Sequence, residues 1–428
     1  MKDFKTYYIK TYGCAMNYAD SDRIRNVLNS VGLHEEESYK GADLVILNSC
    51  SVRKQAEDKI GGWYTRIQKE NLSKKIFLLT GCMATRHNDA KYREKLKKKN
   101  PWIEYIVDIK DVSKIPHILG IGEADPVVEN YLDIVPVSKD KNVANVPIST
   151  GCNFFCSYCV VPFARGELSH REYDDILEEV KFHIANGVKL ITLVAQNVNS
   201  WKGIREGEEI AFGELLEDIA DLPGEFWLAF VSSNPMDFSD KMIDVISSRE
   251  KIMKWINIAV QSGSEDILKK MNRRYFVTEF KELICKIRGE ISDIRLTTDV
   301  IVGFPGEKEK DFEKTCELIK ELEFQMVYIG KYSPRQGTLS AKFEDDVPID
   351  EKKRRENKLK KTVNEMRLES HKKLVGKKIK VLMIGARRGL SYYYHEILLE
   401  EPVDEKKVGT FITVLVTKAT LSGLIAKS

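Results

Sequence analysis

The run Gly151-Cys152-Asn153-Phe154-Phe155-Cys156-Ser157-Tyr158-Cys159 places three thiols at C-x3-C-x2-C spacing, directly after an apolar stretch that reads as a strand. Four-iron clusters are usually closed by four cysteines. A compact trio with no fourth cysteine or histidine nearby therefore leaves one iron open to another ligand. A structural zinc site is the competing reading, but zinc sites normally close with four ligands, commonly from two C-x2-4-C pairs. The next cysteine, Cys285, lies far downstream in a helical pattern.

Outward from this run, strand-like and amphipathic stretches alternate from about 145 to 335. Strands are expected near 145–149, 189–195, 227–232, 255–261, 294–302 and 326–332, with helices near 172–186, 211–221, 238–249, 278–289 and 307–322. Six such repeats predict a partial (β/α)6 barrel, open at one side, with its site at the carboxyl ends of the strands. Polar motifs fall at those ends: Gln196-Asn197-Val198-Asn199, Ser232-Ser233-Asn234-Pro235, Gln261-Ser262-Gly263-Ser264 and Gly303-Phe304-Pro305-Gly306-Glu307. The first 110 residues repeat the alternation, with strands near 7–12, 43–48, 75–80 and 103–108 and helices near 19–31, 52–70 and 88–99. This predicts an open parallel sheet. Cys14, Cys50 and Cys82 each follow one of these strands beside Gly or Ser, so three cysteines distant in sequence should meet on one sheet edge. Three buried structural cysteines are the plain alternative. Cys285 and Cys316, inside amphipathic helices, read as packing residues.

The last 55 or so residues read as short strands near 378–384, 392–399, 411–417 and 421–426, consistent with a small OB-like β-barrel of a kind often used on single-stranded RNA. Tyr392, Tyr393 and Tyr394 are candidates to stack bases. Ahead of this segment, residues 351–388 carry fifteen Lys or Arg against four Glu, a local charge of +11 in a chain whose net charge is only +3. Such a run is either a solvated helix face or a source of phosphate contacts. The whole is an α/β protein with expected domains at 1–125, 140–372 and 373–428. Of its 428 residues 43% are hydrophobic and 31% charged, as in ordinary globular proteins. No apolar run approaches the roughly 20 residues that span a bilayer. The N-terminus lacks the apolar core of a signal peptide, so a cytoplasmic protein without membrane partners is expected. In that reducing compartment, eight cysteines argue for metal ligation or catalysis over disulfides.

With these residues in view, the C-x3-C-x2-C run resembles the signature of radical S-adenosylmethionine enzymes, in which an aromatic such as Tyr158 is usual. Over nearly its whole length the chain is similar to the methylthiotransferases of that superfamily: Thr11-Tyr12-Gly13-Cys14-Ala15-Met16-Asn17, Asn48-Ser49-Cys50-Ser51-Val52-Arg53 and Thr80-Gly81-Cys82-Met83-Ala84 look like its three N-terminal cysteine motifs. The resemblance implies two 4Fe-4S clusters. Cys152, Cys156 and Cys159 would hold the one that cleaves S-adenosyl-L-methionine, and Cys14, Cys50 and Cys82 an auxiliary, sulfur-donating one. For cofactor contacts the candidates are Tyr158 and, at the barrel mouth, Gln196, Asn199, Gln261, Ser262 and Asp299, with Arg165 a candidate to neutralise a carboxylate or phosphate; the plain alternative is that such polar groups satisfy backbone or one another. Arg335 is a candidate to face RNA, and the terminal module, with Gly389, Gly409 and Gly423, resembles an RNA-binding TRAM domain.

The motif Gln196-Asn197-Val198-Asn199 looks like the branch that methylthiolates C2 of N6-isopentenyladenosine at position 37 of tRNA. The branches acting on threonylcarbamoyladenosine or on a ribosomal-protein aspartate are the alternatives, and a non-catalytic, metal-stabilised RNA-binding protein is another. Ala15, Ala195, Asn234 and Asn257 stand where the family commonly carries Gln, Gly, His and His. Implied partners are the tRNA anticodon stem-loop, an electron donor such as flavodoxin or ferredoxin, and a sulfur source.

Overall fold

A computed structural model describes residues 4–52, 54–86, 89–122 and 130–428. Arg53 of the second cysteine motif, and His87, which the sequence suggests is a loop residue, lie outside the described residues.

Apolar strands of five to seven residues, Thr6–Tyr12, Leu44–Ser49 and Ile76–Thr80, lie side by side in parallel in a five-stranded sheet. Short outer strands His34–Glu35 and Tyr105–Ile106 complete it. Leu44 to Leu47 are fully buried, as expected of a strand covered on both faces. One face packs on helix Ala15–Ser30 through Ile24 and Leu28, the other on helix Lys54–Glu70 through Ile60 and Trp63. Each large apolar side chain so buried contributes about 1.5–3 kcal/mol.

Six parallel strands follow: Val143–Pro147, Leu190–Val194, Trp227–Phe230, Trp255–Asn257, Arg295–Val302 and Met326–Lys331. The first three form one sheet and the last three another, joined by single bridges at Leu228 with Ile252 and Ser233 with Ile258. Among the described residues no bridge links Val143–Pro147 to Met326–Lys331, so the barrel stays open there. Helices Tyr173–Ala185, Phe212–Asp221, Asp240–Ser248, Val277–Glu290 and Glu309–Glu321 cover the outside. Cys316 is buried as expected, whereas Cys285 sits on the exposed face of its helix. The sequence reading also lacks the polar hairpin Lys202–Arg205 with Glu208–Ala211, whose side chains are mostly exposed.

Helix Ile349–Lys372 then leads to a closed barrel of five strands: Lys378–Met383, Arg388–Ser391, Glu396–Leu399, Phe411–Ala419 and Leu424–Lys427. Of the strand expected at 392–399 only Glu396–Leu399 forms; residues 392–395 are a tight turn after strand Arg388–Ser391, in which Tyr394 takes a positive φ of 60°. The tyrosines of that turn face the protein. Tyr394 stacks on Trp255 at 4.0 Å, and the Tyr392 hydroxyl donates to the Ile252 carbonyl at 2.5 Å. They hold the small barrel against the amino ends of the central strands, the end opposite the polar motifs.

Candidate active site

Register brings the first three cysteines together. Tyr12 pairs with Ser49 and Asn48 with Thr80, so the three strands end level and Cys14, Cys50 and Cys82 leave the same sheet edge. Gly81 makes the turn at φ +83°, and a Cβ there would lie 2.3 Å from the Asn48 side chain, so glycine is required. Beneath the edge, buried Asn17 and Asn48 close a polar network. Asn17 Nδ2 donates to Asn48 Oδ1 at 3.1 Å, and Asn48 Nδ2 donates to the Asn17 carbonyl at 2.7 Å and to Ser21 Oγ at 2.9 Å. The Cys14 amide donates to Asn17 Oδ1 at 3.3 Å, which ties the first thiol to that network.

The second trio rides on a loop that needs two backbone exceptions. Gly151 has φ +78° and no room for a Cβ, which would meet the Glu167 carbonyl at 1.9 Å; Phe155 has φ 46°. The turn Met271-Asn272-Arg273 clamps this loop: the Ser157 amide donates to the Met271 carbonyl at 2.9 Å, and Asn272 Nδ2 to the Phe155 carbonyl at 3.0 Å. Ser232, Gln261 and Asn272, at the same end of the barrel, also have positive φ. Strain of this kind collects at functional sites. Tyr158 packs edge-on to Phe304.

Two arginines stand on the thiols. Arg273 reaches Cys156 Sγ at 3.6 Å while donating to the Ala259 carbonyl at 2.9 Å. Arg165 is buried; its Nε donates to Cys82 Sγ at 3.1 Å and its Nη2 to Asp20 at 2.5 Å, with Tyr131 at 3.0 Å. Arg165 thus lies at the first trio rather than among the polar residues of the barrel mouth. Cys50 hydrogen-bonds Cys82 and, with Arg165, holds the Cys82 thiol below the ordinary range, whereas Cys50 itself is pushed up. Burial pushes Cys159 up to about 12. The protein alone therefore disfavours a full set of thiolates, and bound iron would supply the missing positive charge.

Among the described residues no group of three or more His, Cys, Asp or Glu side chains is gathered as a single metal ion requires. Two sets of three thiols, each with a guanidinium on one sulfur, suit an anionic thiolate-bound cluster. The polar mouth divides. Asn199 is committed to the Asn234 backbone, donating at 2.9 Å and accepting at 2.8 Å, and Ser262 Oγ accepts from the Ser264 amide at 3.2 Å. Gln196 Oε1 is buried without a partner among the described residues, Gln261 is half-buried, and Asp299 accepts from Asn257 at 3.1 Å. Arg335 turns away from solvent to bind Glu57 at 2.8 Å and the Val52 carbonyl at 3.0 Å, beside Cys50.

A radical SAM superfamily model matches residues 146–319, and a model described as uncharacterized protein family UPF0004 matches residues 6–108. The tRNA-2-methylthio-N(6)-dimethylallyladenosine synthase of Clostridium botulinum strain Langeland is 36% identical, over 98% of this chain and 96% of that one. The chain belongs to this synthase family. The synthase of Caldicellulosiruptor saccharolyticus is 38% identical, over 89% of this chain and 82% of the relative. Among solved structures, the radical S-adenosylmethionine methyltransferase TsrM from Kitasatospora setae superposes with a TM-score of 0.50 at 14% identity. That match covers 77% of this chain and 75% of TsrM, and shows a shared fold. As a member of this synthase family the chain is a radical SAM enzyme that uses S-adenosylmethionine and 4Fe-4S clusters. Arg273, Asp20 and Tyr131 are absent from the sequence reading because no motif marks them; their partners lie 117, 145 and 34 residues away.

Proposed function

We propose that the chain attaches a methylthio group to C2 of N6-isopentenyladenosine at position 37 of tRNA, with Cys152, Cys156 and Cys159 holding the cluster that engages S-adenosylmethionine and Cys14, Cys50 and Cys82 an auxiliary cluster. The observation that carries the assignment is the single connection 151–165, a loop followed by the short helix Val161–Arg165. It bears one trio and ends with Arg165 on Cys82 of the other. The adenine C2–H is beyond ordinary acid–base catalysis at neutral pH. When bound, the clusters and S-adenosylmethionine supply a radical able to remove that hydrogen, together with sulfur and a methyl group.

The chain's own residues orient and tune. Arg273 fixes a cation beside Cys156, which favours taking up an electron, and Arg165 does the same at Cys82. Gln196, Gln261 and Asp299 offer polar groups at the mouth for the cofactor; Tyr158 and Phe304 wall it; Asn199 and Ser262 hold its loops in shape. Residues 1–125, 140–372 and 373–428 act as auxiliary-cluster, radical and RNA-binding TRAM domains. A tRNA anticodon stem-loop as substrate places the reaction in the cytoplasm, with a low-potential donor such as flavodoxin or ferredoxin and a separate sulfur source. Mass spectrometry of nucleosides from treated tRNA tests the reading. It is expected to show 2-methylthio-N6-isopentenyladenosine, whereas product only on threonylcarbamoyladenosine overturns the substrate assignment.

A further inference from the structure

Among the described residues six arginines are buried: Arg23, Arg25, Arg165, Arg171 and Arg355 each hold a carboxylate, and Arg86 is held instead by the Cys82 and Thr85 carbonyls and Ser51 beside the first trio. The half-buried Arg295 and Arg367 hold no carboxylate: among the described residues neither pairs with Asp or Glu, and both leave Nε buried without a partner. Both line one cavity of about 530 Å³, at the seam between the amino ends of the central strands, the end of helix Ile349–Lys372 and the terminal barrel. Arg295 spends Nη1 on the Tyr394 carbonyl at 2.6 Å, and Arg367 reaches only Met326 Sδ and Asn364 Oδ1, both at 3.0 Å.

His371, 2% exposed, enters the same cavity with Nε2 unpartnered. Its Nδ1 donates to the Thr420 carbonyl at 2.8 Å, so Nε2 becomes a donor when the ring takes a proton beside an anion. His395 lies 5.3 Å from it, ring to ring. The carboxylate on the lining, Glu396, belongs to an exposed residue. Two like charges in one partly buried space repel and lose hydration, a cost that an anion between them offsets, and burial with Arg367 nearby lowers Arg295 to about 10.

We propose that this cavity is a phosphate-binding site, in which Arg295 and Arg367, assisted by His371, hold a phosphate group. Planar guanidinium forks with free N–H groups suit phosphate oxygens. Helix Ile349–Lys372 explains why the site sits at its far end. Lys352, Arg354, Arg355, Lys358 and Lys360 are paired with Asp345, Glu307, Glu309, Glu351 and Glu356, so the front of the basic run is already neutralised. The phosphate comes either from the backbone of the RNA, an arm that rests on the tRNA reading above, or from free phosphate, which does not.

The test uses the full chain, with Arg367→Gln as the probe and Lys361→Gln, an exposed position on the same helix, as the control for lost charge. Thermal unfolding is followed against orthophosphate at matched ionic strength, and unmodified tRNA binding against salt. Saturable stabilisation by orthophosphate in wild type and Lys361→Gln, lost in Arg367→Gln, supports the site. If the log–log salt slope for tRNA also falls by about one in Arg367→Gln relative to Lys361→Gln, the phosphate is the RNA's. An unchanged slope assigns the site to free phosphate. Stabilisation no greater than that of chloride, with Arg367→Gln and Lys361→Gln binding tRNA alike, overturns the proposal. Wild-type product formation is measured separately, so a failed methylthiolation reading is told apart from a failed phosphate site.

Discussion

Asp20 and Arg165 form the most deeply enclosed ion pair beside the cysteines, with side chains 0% and 1% exposed. Removing one partner of such a pair leaves an uncompensated buried charge, at a cost of about 3–5 kcal/mol. Arg165→Met should therefore lose that much in denaturant unfolding, and Arg165→Met with Asp20→Leu should recover a large part of it. Arg165→Lys keeps the charge but cannot hold Asp20 with two N–H groups while donating a third to Cys82. It should fold, yet shift the reduction potential of the cluster proposed at Cys14, Cys50 and Cys82, measured by titration under electron paramagnetic resonance, and an unchanged potential would refute tuning by Arg165.

Glu179 gives a pH prediction. Burial alone would raise its carboxyl, but Arg23 and Arg171 outweigh burial and hold it at about 2. A depressed folded pKa contributes stability above the unfolded value of about 4.3 that is lost as pH falls toward 2, in all about 3 kcal/mol. Glu179→Gln should flatten the stability profile between pH 4.5 and 2; an unaltered slope there would contradict the assignment.

Helices and strands divide into those whose pattern shows in the chain and those whose contacts do not. Buried parallel strands such as Leu190–Val194 are continuous apolar runs and read directly from the sequence, as did the level ends that gather Cys14, Cys50 and Cys82. Hairpin Lys202–Ala211 carries mainly polar, exposed residues and gives no apolar signal. The turn between Ser391 and Glu396 was hidden because three tyrosines in a row mimic a strand, and what fixes them is packing on Trp227 and Trp255, over 130 residues away. The basic run likewise reads as free charge until its carboxylate partners on other elements are seen. Trp255→Ala removes the ring under Tyr394 and should cost about 3–5 kcal/mol. Hydrogen exchange should show protection falling in strands 378–427 while strands 6–80 keep theirs; equal loss in both would contradict a seam fixed by these rings.

Across the whole molecule, a three-thiol site on each of two parallel-sheet units faces the other through Arg165, while the terminal barrel closes the opposite end of the central strands. The proposed function gives each trio its own task. The decisive measurement compares Cys50→Ala with Cys156→Ala after anaerobic reconstitution, following 5′-deoxyadenosine and 2-methylthio nucleoside in the same reaction. Cys50→Ala should still cleave S-adenosylmethionine but yield no methylthio product, and Cys156→Ala should do neither. Full methylthio product from Cys50→Ala, or 5′-deoxyadenosine from Cys156→Ala, would contradict two separate clusters with separate tasks.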